Sequence, residues 1–130
     1  MSYELKFRTL AEIRMGSPYN FAEIELEGSS FIPPLPKKGF QDKGIVSDDK
    51  SRCYLVHWET AADGGPAFSI WKLDEKEKTL MKSVIIDGCC EAIEELRAGS
   101  VVLTVWQYEK GIRKETVENF ESEVHHLKGI

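Results

Sequence analysis

RCYLVHWET (52–60), AADGGPA (61–67), FSIWKL (68–73), DEKEKT (74–79) and LMKSVII (80–86) follow one another in the middle of the chain. Three apolar-rich runs are separated by two intervals of turn formers and charges, so the stretch predicts a β-meander of two hairpins. In the first run Tyr54, Val56 and Trp58 share one face, and Cys53, Leu55 and His57 share the other. Both faces are partly apolar, which is the pattern of a central strand covered on two sides. Asp63, Gly64, Gly65 and Pro66 supply the free φ of a wide hairpin connection. This Gly-Gly is no phosphate loop, because GxxxxGK(S/T) is missing and the pair leads into a strand.

Upstream lies the polar turn Ser47-Asp48-Asp49-Lys50-Ser51. That turn, the strand through Tyr54, Leu55 and Val56, a loop, and a second strand ending in Leu73-Asp74 together resemble one blade of a β-propeller. A propeller needs at least about four blades, and the unit is not repeated here. The resemblance implies a blade-like meander and no function.

FIPPLPKKG (31–39) carries Pro33, Pro34 and Pro36, which fix φ and remove three donors, so the segment is a polyproline-II link or a sheet edge. Pro33, Pro36 and Lys38 also fit PxxPx(K/R), the pattern read by SH3-type grooves. A rigid connector is the commoner role of so short a match. Before it, Ala22, Ile24 and Leu26 alternate with Glu23, Glu25 and Glu27, a period of two that predicts a strand with one face to the core and one to water. Three carboxylates in a row repel one another unless cations flank them, so either Lys and Arg lie alongside or a basic partner docks there. Tyr3, Leu5 and Phe7 line one side of a first strand, which bends before Ile13 and Met15; Gly16, Ser17, Pro18 and Asn20 predict a turn.

Downstream, DGCCEAIEELRAGS (87–100) is ambiguous. Propensity and the Ile93–Leu96 spacing favour a short helix near residues 90–97, ended by Gly99, whereas Cys90 and Ala92 in a meander context favour a strand. SVVLTVWQY (100–108) sets Val101, Leu103 and Val105 against Val102, Thr104, Trp106 and Tyr108, a buried strand. Lys110-Gly111 then predicts a hairpin turn, with IRKETVENF (112–120) returning as an edge strand. The tail 121–130 has no apolar period, and fraying is expected there.

The 130 residues make one domain, 1–130, able to bury a core without staples. The fold class expected is mainly β: a single antiparallel β-sandwich or open barrel built on the meander, with at most one short helix. A net charge of −5 gives neither nucleic acid nor an anionic membrane an excess of Lys and Arg to bind. No apolar run approaches a membrane span and no signal peptide is legible, so a cytoplasmic location is expected.

Three cysteines do not make a disulfide framework. Adjacent Cys89 and Cys90, and Cys53 with His57, lack the spacing of a zinc site, so no metal and no cofactor is expected. His57 is read as a half-buried strand residue, and His125 and His126 as part of a solvated tail. Trp58, Trp71 and Trp106 sit on the strongest strands; tryptophan is usually core, yet it anchors interfaces when one edge stays open.

The function expected first is a small binding or inhibitor protein, in the manner of the immunity proteins with which bacteria neutralise toxins. It would bind a basic protein through Glu23, Glu25 and Glu27 with Trp58, Trp71 and Trp106. Cationic side chains capping all three glutamates would count against it. The alternatives are a small-molecule-binding β-barrel lined by Trp58 and Trp106, and a cysteine-dependent enzyme. Edge pairing into a homodimer is open to such a meander.

Overall fold

The computed structural model describes residues 3–12, 20–36, 39–120 and 122–123, with side chains of 9–12, 20–21 and 122–123 left aside. Eleven strands occur among them: β1 (Glu4–Glu12), β2 (Asn20–Glu27), β3 (Phe40–Val46), β4 (Arg52–Thr60), β5 (Pro66–Asp74), β6 (Thr79–Lys82), β7 (Ile86–Asp87), β8 (Cys89–Arg97), β9 (Ser100–Gln107), β10 (Gly111–Val117) and β11 (Ser122–Glu123). The first sheet is an antiparallel meander in the order β1-β2-β3-β4-β5-β6-β11, with β7 beside β5. A second sheet, β10-β9-β8, packs on it. The chain is therefore an all-β sandwich rather than a closed barrel, with no helix among the described residues.

The quoted stretch forms the centre of the first sheet. Strands β4 and β5 pair in unbroken register from Arg52↔Asp74 to Thr60↔Pro66. As its two apolar faces require, β4 is covered on both sides. Tyr54 and Val56 join Phe68 and Ile70 against Ile93, Val101, Leu103 and Val105 of the second sheet. Cys53 and Leu55 join Phe40, Trp71 and Leu73 on the other face, beneath Tyr3, Leu5, Ile24 and Leu26.

The cover on that face is the β1–β2 hairpin, which folds back over the meander. Its only described pairing to β3 is Ala22↔Phe40, so the sheet turns sharply there. Gly44 lets the hairpin sit down: a Cβ on it would lie 3.1 Å from both Leu5 Cδ2 and Phe7 Cζ. A side chain there would push the layer outward. Phe31 and Leu35 of the proline-containing link pack against the same cluster, outside any strand. Lys38 and most of the turn expected at 16–20 lie outside the described residues.

Residues 89–97 form a strand, not the helix that propensity favours. Cys90 and Ile93 are buried against the first sheet, while Ala92, Glu94 and Leu96 are exposed. Bulges between Cys90 and Ala92 and between Glu95 and Arg97 disrupt the period of two. The first bulge puts residues three apart on one face, which imitates helical spacing; tertiary pairing then overrides propensity. Gln41, fully buried, donates from Nε2 to the Cys90 carbonyl at 2.5 Å and ties β3 to that bulge.

Candidate functional site

The antiparallel register of β1 and β2 sets Arg8 opposite Glu23, Lys6 opposite Glu25 and Glu4 opposite Glu27. Arg8 Nη2 meets Glu23 Oε1 at 2.7 Å. Cations thus face two of the three glutamates, while the third faces another carboxylate. This acidic end lies on the outer side of the hairpin, because Ile24 and Leu26 point inward to the core.

The three tryptophans part company. Trp71 is buried beside Phe40 (ring centroids 5.3 Å apart) and stacks on His57 at 4.5 Å. Trp58 is half-buried on the face of β4 that carries Tyr54 and Val56, toward the second sheet. Trp106 is half-buried on β9, alternating with the inward Val105, in a cross-strand row with Cys89 and Ile112. Among the described strand pairings none sets a tryptophan beside the glutamates of β2, and Trp71 is buried in the core.

All three cysteines are buried and none is in a disulfide. Burial pushes both Cys53 and Cys90 up to about 12, away from the thiolate that nucleophilic attack needs. Cys90 belongs to the cluster between the sheets and His57 lies on the opposite face of β4, so they do not form a Cys–His pair. His125 and His126 lie outside the described residues. Among the described residues no group of three or more His, Cys, Asp or Glu side chains is placed to hold a metal ion.

One polar cluster was not legible in the sequence. On the face of His57, Glu59 Oε2 is approached by Ser69 Oγ at 2.7 Å, His57 Nδ1 at 3.1 Å and Lys82 Nζ at 3.5 Å. Burial alone would raise the Glu59 pKa, but the hydrogen bonds from Ser69 and His57 and the charge of Lys82 outweigh it and hold the carboxyl low. Trp71 Nε1 donates to Ser69 Oγ at 3.1 Å. The order matters chemically. The serine donates to the carboxylate rather than to the imidazole, and the lowered pKa of Glu59 makes that carboxylate a weak base for a serine that is itself fully buried. The cluster closes the polar end of the core.

A different region is open. Ser83 pairs with Ile70 through both its backbone and its hydroxyl, and pairing resumes at Phe68↔Ile86. Val84 and Ile85 are thereby thrown out of the ladder, 73% and 49% exposed. On the second sheet β10 is an edge strand, and Arg113 Nη2 donates to the Asp87 carbonyl at 2.9 Å. Strands β7 and β10 therefore lie along one open side of the sandwich.

Three hollows run together there. One of about 510 Å³ lies between Val84–Asp87 and the inward side of β10. It shares Asp87, Gln107 and Lys110 with a second of about 340 Å³ at the β9–β10 turn, and Val84, Ile86 and Glu115 with a third of about 200 Å³ toward Asn119. Five carboxylates (Asp63, Asp87, Glu109, Glu115, Glu118) and two cations (Lys110, Arg113) line this trough. Arg113 is already engaged by Glu115 Oε1 and Gln107 Oε1, each at 2.8 Å. Tyr108 and Ile112 stand nearby, 74% and 62% exposed.

The chain matches no family model, no curated protein and no solved structure. Of the six residues expected from the sequence to bind a partner, only Trp106 lines the trough. Val84 and Ile85 looked like the end of a buried strand; the hydroxyl of Ser83, able to stand in for a ladder partner, was the one signal of the bulge.

Proposed function

We propose that this chain is a small binding protein that holds an extended, net-basic segment of another protein along the open side of the sandwich. The observation that carries this reading is the trough, an apolar floor at Val84, Ile85 and Ile86 beside Asp87, Glu115, Lys110 and Arg113, with Asp63, Glu109 and an Arg97-paired Glu118 giving the flanking hollows their excess of carboxylates. Exposed aliphatic side chains grouped beside a groove are the surface that a partner covers. The acidic rim supplies steering toward a cation-bearing chain. Strand β10 has seven residues, about 23 Å at strand rise, which suits a segment rather than a small molecule. A small inhibitor of a basic protein, as immunity proteins are, is the biological form this reading takes. The absence of a disulfide among the three cysteines supports work in a reducing compartment.

Selection from a displayed library of random peptides about ten residues long tests it. The enriched peptides should combine Lys or Arg with apolar residues, bind less well as salt rises, and lose binding to the Val84→Ser/Ile85→Ser double variant. No enrichment, or equal binding by the double variant, would overturn the reading. A second reading keeps the basic partner and moves it to the outer side of the β1–β2 hairpin. The like-charged Glu4–Glu27 juxtaposition favours it, since such a pair is relieved by an added cation. Loss of peptide binding on Glu25→Lys/Glu27→Lys, with Val84→Ser/Ile85→Ser silent, would select it.

A further inference from the structure

Resting on the trough reading, we infer that the partner segment binds by strand addition: it pairs with the outer edge of β10 and becomes a fourth strand of the second sheet. Among the described residues that edge has no neighbouring strand. In β10 the exposure alternates, with Ile112, Lys114 and Thr116 outward and Arg113, Glu115 and Val117 inward. The inward row lies over the Val84–Asp87 side of the trough. A strand laid beside β10 would present every second side chain to the same side, above Val84 and Ile85. Two unmet needs, an open row of backbone groups and an uncovered apolar floor, would be satisfied by one extended segment.

A second copy of this chain is the less suited occupant. Two-fold antiparallel self-pairing that keeps the core face on one side must centre on a single residue, which then faces itself across the pair. In the three central registers that residue is Arg113, Lys114 or Glu115. Like charges directly opposite one another destabilise the Arg113- and Glu115-centred registers, whereas the Lys114-centred one offsets its Lys–Lys contact with two Arg113–Glu115 pairs. The choice against a second copy therefore rests on charge as a whole: the carboxylates of the trough favour a segment carrying Lys or Arg, and a second copy brings a net charge of −5.

The test is an N-methyl scan of a peptide selected as above, read by its affinity for the full chain and by amide hydrogen exchange. Methylation removes a backbone donor and blocks its approach. Strand addition predicts a period of two: losses of about tenfold or more at alternate positions and little change between them. It also predicts slowed exchange at alternate amides of Gly111–Val117. A peptide that binds with no alternation, or that protects β1 or β8 instead, overturns strand addition at β10 and leaves the binding reading standing. A library that yields no binding peptide overturns both. Self-association of the free protein, with β10 amides protected as concentration rises, overturns the charge argument against a second copy.

Discussion

Replacing Glu95 with glutamine should weaken the joint between the two sheets. Glu95 on β8 accepts from Arg52 Nε at 2.9 Å, Arg52 Nη2 at 3.3 Å and Tyr54 Oη at 2.5 Å, both donors standing on β4. The Arg52 and Glu95 side chains are only 14% and 17% exposed. The amide keeps the size and loses the charge, leaving Arg52 with Asp49 at 3.8 Å. Exposed ion pairs contribute up to about 1 kcal/mol and breaking a fully buried one costs about 3–5, so this partly buried pair should cost about 2 kcal/mol. For a chain of this length that lowers Tm by about 7 °C.

The pH dependence follows from the same contacts. Burial alone would raise the Glu95 pKa, but the hydrogen bonds from Arg52 and Tyr54 and the Arg52 charge hold it below its ordinary 4.5. A depressed carboxylate stabilises the fold above its unfolded pKa, and that contribution fades as pH falls through the folded one. Thermal unfolding followed by circular dichroism should therefore show the full Tm gap between wild type and Glu95→Gln at neutral pH, and a smaller gap at about pH 3. A gap under about 2 °C at neutral pH, or the same gap at both, would refute the reasoning.

Other outcomes follow from single contacts. Glu75 accepts from Ser30 Oγ at 2.6 Å and Ser29 Oγ at 2.7 Å, and the Ser30 and Ser29 bonds, joined by Lys78, hold its carboxyl down to about 2. Its hold on the link after β2 should be complete above the ordinary value of 4.5 and vanish as pH falls toward 2; the Phe31 amide should exchange faster in Glu75→Gln at neutral pH, and unchanged protection would contradict this. Gly88 has φ +111° and a Cβ there would lie 2.6 Å from the Trp106 carbonyl oxygen, whereas Gly64, at φ +85°, has no atom within 4 Å. In urea Gly88→Ala should cost at least about 3 kcal/mol and Gly64→Ala about 1; equal costs would be wrong for this packing. Native Cys53 and Cys90 should resist iodoacetamide at mildly alkaline pH and react on unfolding, and labelling of the folded protein at the rate of a free thiol would break the assignment.

The meander was legible because its hydrophobic patterns have a short range. Alternation at 22–27, two apolar faces at 52–60 and the polar turns between runs each report on neighbours within a few residues, and the structure uses them all. Position 89–97 was not legible, because bulges moved Cys90 and Ile93 to one face and the deciding interactions, with Leu103 and Val105, come from a later strand. The acidic strand and its need for flanking cations were legible, but which residues face each glutamate was not, since that depends on the register of β1 on β2. The trough is not legible in the sequence because Val84 and Ile85 are chemically core residues; the three-dimensional break after Ser83 exposes them.

The most direct test of the central claim is the affinity of one selected basic peptide for wild type, Val84→Ser/Ile85→Ser and Glu25→Lys/Glu27→Lys, measured by fluorescence anisotropy with folding checked by circular dichroism. The trough predicts a loss of at least about tenfold in the first variant and a change within about twofold in the second. The reverse pattern would contradict it and place the partner on the hairpin.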